Sequence, residues 1–94
     1  MHVFMDDEDG YRQWLEQNPQ GAYVLNFGRR MSERDYRMLH RSGCHSIRGD
    51  PPAGDYWTHH YGKACSADRQ HLETFAEELL GGPVTECRQP SCWG

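Results

Sequence analysis

Residues 66–83 have the sequence SADRQHLETFAEELLGGP, which is the strongest helix signal in this chain of 94 residues. Ser66 can cap a helix, and an acidic first turn leads into apolar residues spaced i, i+3, i+4, i+7 and i+8. Gly81, Gly82 and Pro83 then end the periodicity. The pattern predicts a helix over 67–80 with one apolar stripe, formed by Leu72, Phe75, Ala76, Leu79 and Leu80.

Three segments upstream of this helix are typical of β-strands. Residues 22–27 (AYVLNF) lie between two glycines and are rich in β-forming residues. Residues 36–40 and 56–64 predict a second and a third strand. We therefore expect an α+β fold, a small three-stranded antiparallel sheet packed by the helix at 67–80. The helix residues expected to be buried are Leu72, Phe75, Ala76 and Leu79, packed against Val24, Leu25 and Ile47.

A short N-terminal helix is predicted over residues 6–18. Its first turn is acidic, as the helix dipole favours, and Asn18-Pro19 ends it. The chain is then a single domain over 1–94, with an acidic N-terminal segment (1–9) and a cysteine-containing tail (83–94). The prolines and glycines of residues 49–55 predict a surface loop.

The composition indicates a folded domain with a small core. Hydrophobic residues make up 36% of the chain and the mean hydropathy is −0.95, which is polar for a globular domain. Aromatic residues, at 12%, argue against disorder. A domain with a core of this size gains stability from an additional cross-link, such as a bound metal.

The thiols are expected to be reduced. The chain shows no basic segment followed by an apolar run at its start, and no run of about 20 apolar residues. We therefore expect a cytoplasmic protein without membrane association. Disulfides do not persist in that compartment, which leaves metal binding, catalysis or plain burial for the cysteines.

One histidine and the cysteines follow the spacing of a structural zinc site. His40 and Cys44 form one close pair, and Cys87 and Cys92 form another. Zinc takes four tetrahedral nitrogen or sulfur ligands, usually supplied as two such pairs. The predicted ligands are His40, Cys44, Cys87 and Cys92, with Cys65 as the alternative fourth ligand. Buried cysteines without metal, and disulfide or redox use, are the competing interpretations.

The chain also resembles a small uncharacterised bacterial domain over nearly its whole length. The resemblance lies in the pattern L-H-R-x2-C, then K-x-C, then a final pair of cysteines, here Cys87 and Cys92 with four residues between them instead of two. Trp14-Leu15, Asn18-Pro19, Val24-Leu25-Asn26 and Trp57-Thr58 belong to the same pattern. The resemblance implies a cytoplasmic zinc-binding-like domain of unknown activity, for which nucleic-acid roles are sometimes suspected, and it supplies no catalytic residues.

The centre of the chain carries an excess of positive charge. Six arginines lie between positions 29 and 48 against Glu33 and Asp35, although the net charge of the chain is −4. Arginine forms planar bidentate contacts with phosphate, and neighbouring aromatic rings can stack on bases. A solvated surface is the plainer interpretation, and the overall negative charge argues against nucleic acid. The candidate nucleic-acid-binding residues are Arg29, Arg30, Arg34, Arg37, Arg41 and Arg48.

These features together predict a zinc-stabilised binding module without enzymatic activity, which contacts nucleic acid or a nucleic-acid-handling protein. One alternative is a protein-interaction regulator, an inhibitor or adaptor that uses the acidic N-terminus. Another is a small hydrolase that uses His59 or His60, of which at most one can serve a given site if both lie on a strand. A small-molecule substrate is not expected.

Overall fold

A computed structural model of the chain describes residues 1–49, 51 and 56–94. Most of the loop predicted over 49–55 lies outside the described residues. The two helices are α1 (Glu8–Gln17) and α2 (Arg69–Phe75), and α2 continues into a π-helical turn (Ala76–Leu80). The strands are β1 (His2–Phe4), β2 (Tyr23–Gly28), β3 (Arg37–Arg41), β4 (Tyr61–Ser66) and β5 (Thr85–Glu86). The fold is a small α+β fold, as expected.

The sheet has five strands in the order β1-β4-β2-β3-β5, so the expected sheet of three strands is wrong in strand number. It is mixed and not purely antiparallel, because β5 pairs parallel with β3. The predicted strands form its centre, where β2 pairs antiparallel with both β3 and β4. At one edge β1 pairs antiparallel with β4, and at the other β5 pairs parallel with β3. The edge strands have three and two residues, too few to show the two-residue period that identifies a strand in a sequence.

The third strand lies further along the chain than predicted. It begins at Tyr61 and includes Ser66, while residues 57–60 form bends that precede it. Ser66 is therefore not the cap of α2, and its hydroxyl accepts a hydrogen bond from the Asp68 amide instead. Asp68 caps the helix by accepting a hydrogen bond from the Gln70 amide at 2.9 Å.

The two helices pack on opposite faces of the sheet. Successive residues of a strand point to opposite faces, so neighbouring strand residues contact different helices. The α2 face of the sheet carries Leu25, Phe27, Leu39 and Ala64, which pack with Leu72, Ala76 and Leu80. The α1 face carries Val24 and Cys65, which pack with Tyr11, Trp14, Leu15 and Ile47. Val24 and Ile47 therefore do not contact α2 as predicted. They belong to the other core cluster.

The end of α2 also differs from the prediction. Leu79, expected to be buried, is 64% exposed, whereas Leu80 is 4% exposed. The π-helical turn Ala76–Leu80 inserts extra backbone into the helix, so the next residue takes the inward position. Phe75 is only partly buried and packs against Phe27 with 5.4 Å between ring centroids.

The α1 helix lies within the predicted range. Asp7 caps it by accepting a hydrogen bond from the Gly10 amide, and the hydroxyl of Tyr11 donates to the carbonyl of Ile47 at 2.7 Å. Among the described residues, no helix is long and apolar enough to cross a lipid bilayer.

Candidate metal centre

The structure brings the four predicted metal ligands together at one edge of the sheet. His40 lies in β3, Cys44 follows it after a turn, Cys87 comes directly after β5, and Cys92 lies in the final turn of the chain. All four are buried, and one ligand atom from each lies within 4.8 Å of the others. These four residues, the Cys/His cluster, are close enough to bind a metal ion.

Backbone hydrogen bonds hold the two pairs of ligands against each other. The Cys44 amide donates to the Arg41 carbonyl at 3.0 Å and closes the turn after β3. The Cys87 amide donates to the Leu39 carbonyl at 2.9 Å, which places the tail beside β3. The His45 amide then donates to the hydroxyl of Ser91 at 3.0 Å. The strand pairing of β5 with β3 thus joins ligands that are more than 40 positions apart in the chain.

The donor set and the spacing of His40 and Cys44 can be compared with those of a zinc site. Nδ1 of His40 lies 3.6 Å from Sγ of Cys44. Bonds of about 2.3 Å to sulfur and about 2.0 Å to nitrogen in a tetrahedron place these atoms roughly 3.5 Å apart. Thiolates with one imidazole are a donor set that zinc prefers. The His40–Cys44 pair therefore has the spacing of two ligands of such an ion, while the ligand atoms of all four residues lie within 4.8 Å of one another.

Histidine 40 is in the protonation state that a metal requires. Burial, together with the positive charge of Lys63, lowers the pKa of His40 to about 4, so its imidazole is neutral at physiological pH. Nδ1 faces Cys44 and the hydroxyl of Ser46, which is 3.2 Å away. Nε2 is buried without a hydrogen-bond partner in the described part of the chain. A bound metal ion would fix which nitrogen carries the proton.

The thiols of the Cys/His cluster differ in acidity. Burial raises the pKa of Cys44, but hydrogen bonds with Ser46, Cys92 and Ser91 outweigh it, so the net pKa lies below the ordinary value. Burial beside Cys44 raises the pKa of Cys92 to about 12. Burial thus opposes a thiolate at Cys92. A divalent cation would supply the charge that stabilises more than one thiolate.

Cys65, the alternative fourth ligand, lies apart from the Cys/His cluster. It is in β4, in register with Val24 of β2, which is in turn in register with His40 of β3. Two strand spacings of about 4.8 Å therefore separate Cys65 from His40. Burial raises the pKa of Cys65 well above its usual range. Cys65 is a core thiol in this structure.

The six candidate arginines do not form one continuous surface. The guanidinium of Arg37 donates hydrogen bonds to the carbonyls of Arg34, Leu80 and Pro83, so it stabilises contacts within the chain. The guanidinium of Arg41 lies 5.2 Å from the Trp93 ring, and that of Arg34 lies 5.9 Å from the Phe27 ring.

Arg48 is likewise committed to internal contacts. Its guanidinium donates to the carbonyls of Leu15, Asn18 and Ser42. Arg41 is exposed as well as lying near Trp93, whereas Arg29 and Arg30 line a pocket described below.

Most of the acidic N-terminal segment is engaged within the chain. Asp6 pairs with Arg29, with 2.6 Å between Oδ2 and Nη2, and Asp7 caps α1. The carboxylate of Glu8 accepts hydrogen bonds from the amides of Trp57 and Thr58, each at 2.5 Å, and from the hydroxyl of Thr58. These side chains hold α1 and residues 57–60 together.

A pocket of about 750 Å³ lies at the end of the sheet where β2 finishes and β4 begins. The basic residues in its wall are Arg29, Arg30, His59, His60 and Lys63, and we call it the cationic pocket. His59 and His60 precede β4 instead of lying on a strand, and their ring centroids are 4.9 Å apart. Both line the same pocket, so the expectation that at most one can serve a given site is wrong.

Sequence reasoning missed Lys63 as a pocket residue. It is the one lysine of the chain, and its side chain is 2% exposed. A single lysine inside a predicted strand, between a glycine and an alanine, is the signal that could have identified it.

Comparisons of the chain with protein-family models, with curated proteins and with solved structures found no match. The resemblance to a small bacterial domain therefore stays a prediction. The Cys/His cluster and the cationic pocket are the two candidate functional sites.

Proposed function

We propose that the protein is a zinc-stabilised binding module without enzymatic activity, which contacts nucleic acid through Arg29 and Arg30. The observation that carries the proposal is the Cys/His cluster, with four buried ligand atoms within 4.8 Å of one another. Four protein ligands fill a tetrahedral zinc site and leave no position for water or substrate, which is typical of structural and not of catalytic zinc.

The zinc ion would fasten the tail to the sheet. Beyond Cys87 the tail contains no helix or strand, and such a terminal segment stays ordered only if something holds it. Trp93 adds to this attachment, because its ring stacks on Tyr23 with 6.2 Å between centroids and lies 5.2 Å and 5.5 Å from the guanidinium groups of Arg41 and Arg69. Metal binding by residues from distant parts of a chain contributes directly to folding.

The proposed contact with nucleic acid is narrower than the sequence implied. Arg29 and Arg30 are adjacent in the wall of the cationic pocket, and Arg30 is exposed with no ion pair among the described residues. Exposed arginines next to aromatic rings can neutralise phosphates while the rings stack on bases. The alternative of a partner protein held by the acidic N-terminus is weaker, because Asp6, Asp7 and Glu8 are engaged within the chain.

Native mass spectrometry with and without a chelator, paired with thermal melting, tests the zinc part of the proposal. We expect one zinc ion per chain, and a lower Tm after chelation. At a thousandfold excess over Kd, a ligand stabilises a protein by about 4 kcal/mol, which corresponds to roughly 15–30 °C in Tm for a domain of this size. A metal-free mass with an unchanged Tm would end the zinc proposal.

Binding to labelled single-stranded DNA and RNA at two salt concentrations tests the nucleic-acid part. We expect affinity that falls as salt rises, because phosphate contacts release counterions. The double variant Arg29→Ala with Arg30→Ala should bind more weakly. Its matched control is Arg12→Ala with Arg88→Ala, which removes two exposed arginines elsewhere. Equal binding by both double variants, or no salt-dependent binding at micromolar protein, contradicts this part.

A further inference from the structure

The cationic pocket has the dimensions of a site for a small ligand. Its volume of about 750 Å³ falls within the usual range of ligand pockets, about 300–1,000 Å³. Its wall combines basic side chains with three aromatic rings, those of Tyr56, Trp57 and Tyr61. Pockets that pair apolar or aromatic walls with a few fixed polar groups are the usual form of specific ligand sites.

Lys63 brings a buried positive charge to the pocket wall. Its ammonium donates to the side-chain oxygen of Asn26 at 2.7 Å and to the carbonyl of Trp57 at 2.8 Å. No carboxylate within ion-pair distance balances it in the described part of the chain. A buried cation held only by neutral oxygens favours an anionic ligand, because the ligand supplies the missing charge.

Arg29 and Arg30 add positive charge to the pocket wall. Glu33 is the one carboxylate in the described pocket wall, and its side chain accepts a hydrogen bond from the Arg30 amide at 3.2 Å. Arg29 is paired with Asp6, which also lies 3.0 Å from Nδ1 of His59. The wall therefore carries two arginines, Arg29 and Arg30, and Lys63, whose pKa burial lowers to about 8. The carboxylates beside them are Glu33 in the described wall and Asp6, which is paired with Arg29. The planar guanidinium of arginine matches phosphate geometry.

The aromatic rings of the pocket are suited to a flat ligand. The indole of Trp57 is held in place by its Nε1 donor to the Gly49 carbonyl at 3.0 Å. Tyr61 is 40% exposed and Tyr56 is 55% exposed, so each has ring surface open to the solvent. Such rings can stack on any of the nucleobases, because every base has an aromatic face.

We infer that the cationic pocket binds one nucleotide unit, with its phosphate at Arg29, Arg30 and Lys63 and its base against the tyrosine rings. The inference rests on the proposed function in taking nucleic acid as the ligand class, and it adds a defined site. A free nucleotide and the end or a turned-out unit of a single strand share this chemistry. The experiment separates the two sources.

Isothermal titration calorimetry with the zinc-loaded protein tests the inference, with adenosine monophosphate, adenosine and inorganic phosphate as separate probes. We expect the nucleotide to bind at least about tenfold more tightly than either part alone, because stacking and phosphate contacts then act together. Equal weak binding of all three probes, or no binding of the nucleotide at millimolar concentration, overturns the inference.

Two variants, each checked for its fold by thermal melting, should weaken nucleotide binding. Arg30→Ala and Tyr61→Ala change exposed side chains of the pocket, and Arg88→Ala removes an exposed arginine elsewhere as the control. We expect a loss of about tenfold for each pocket variant and none for the control. Equal binding by pocket variants and control overturns the inference.

Asp6→Asn is expected to act in the opposite direction. It removes the carboxylate that competes with phosphate for Arg29, and asparagine tolerates the positive φ of 53° at this position. Tighter nucleotide binding supports the site, and a misfolded variant could not produce it. Unchanged or weaker binding by the folded Asp6→Asn protein counts against the site.

Binding of a single-stranded oligonucleotide by the same variants distinguishes a failure of this inference from a failure of the proposed function. Strand binding that survives both Arg30→Ala and Tyr61→Ala leaves the proposed function in place and removes the pocket as the site. Nucleotide binding in the pocket without any strand binding removes the proposed function and keeps the pocket, with a free nucleotide as its ligand. Loss of both kinds of binding in the same variants supports a strand as the source.

Discussion

The backbone amide of Arg41 donates a hydrogen bond to Sγ of Cys92, 3.2 Å away. This contact joins the last residue of β3 to the final turn of the chain, and it uses a sulfur atom as the acceptor. An amide aimed at sulfur stabilises a thiolate, which is the form that binds metal. Strand β3 therefore supplies His40 to the Cys/His cluster and also donates a backbone hydrogen bond to Cys92, a second member of the cluster.

Cys87→Ala and Cys65→Ala are a matched pair that tests the assignment of the ligands. Each variant removes one buried thiol, but only Cys87 belongs to the Cys/His cluster. We expect Cys87→Ala to lose zinc, as measured by native mass spectrometry, and Cys65→Ala to keep one zinc ion per chain. Zinc loss in Cys65→Ala with retention in Cys87→Ala would show that the ligand set is wrong.

Leu80→Ala and Leu79→Ala test the π-helical turn at the end of α2. Leu80 is 4% exposed and Leu79 is 64% exposed. Removal of a buried leucine side chain costs about 2–5 kcal/mol, whereas exposed positions change stability by about 0.5 kcal/mol or less. Urea denaturation should therefore show a large loss only for Leu80→Ala. A regular α-helix, in which Leu79 faces inward as predicted from the sequence, would instead give a large loss for Leu79→Ala.

The sequence predicted the elements that carry a clear period. Leu72 and Ala76 repeat at helical spacing and are both buried, and the strand predicted over 22–27 corresponds to the central strand β2 (Tyr23–Gly28). Leu79 was misplaced because a π-helical turn leaves no mark in the spacing of apolar residues. The strands β1 and β5 were missed because pairing at a sheet edge depends on neighbours that are distant in the chain.

The two candidate sites differ in how far the sequence reveals them. The Cys/His cluster is visible because each of its pairs, such as His40 with Cys44, is formed within one turn of the chain. The choice between His40 and Cys65 needed the strand order, which places Cys65 two strands away. The cationic pocket was hidden because Arg29 and Lys63 come together only through the pairing of β2 with β4.

Glu8→Gln tests the contact between α1 and residues 57–58. Burial raises the pKa of Glu8, but hydrogen bonds from Thr58 and Trp57 outweigh it, so the net pKa lies below the ordinary 4.5. The carboxylate therefore stabilises the fold above pH 4.5, and this contribution is lost as the pH falls through the lowered pKa. We expect a loss of about 1–3 kcal/mol in Glu8→Gln at neutral pH.

The pH dependence of Tm checks the same contact. The difference in Tm between the natural protein and Glu8→Gln should shrink as the pH falls from neutral to well below 4.5, because both then carry an uncharged side chain. Asp9→Asn, which changes an exposed carboxylate in the same turn, should show little difference at any pH. A constant difference between Glu8→Gln and the natural protein at all pH values would contradict this role of the charge.

Arg48→Met and Arg30→Ala separate the arginine that supports the fold from the arginine proposed to bind. The guanidinium of Arg48 donates to three backbone carbonyls, so its removal leaves partly buried acceptors without partners. Hydrogen bonds from charged groups contribute about 1.5–3 kcal/mol, and methionine retains most of the apolar stem. We expect Arg48→Met to unfold at lower urea concentration than the natural protein and, where still folded, to bind nucleic acid equally well.

Arg30 is exposed, so Arg30→Ala should keep full stability and lose affinity. A stable Arg48→Met protein with weakened binding would instead assign Arg48 to the binding surface, as its position in the sequence first implied.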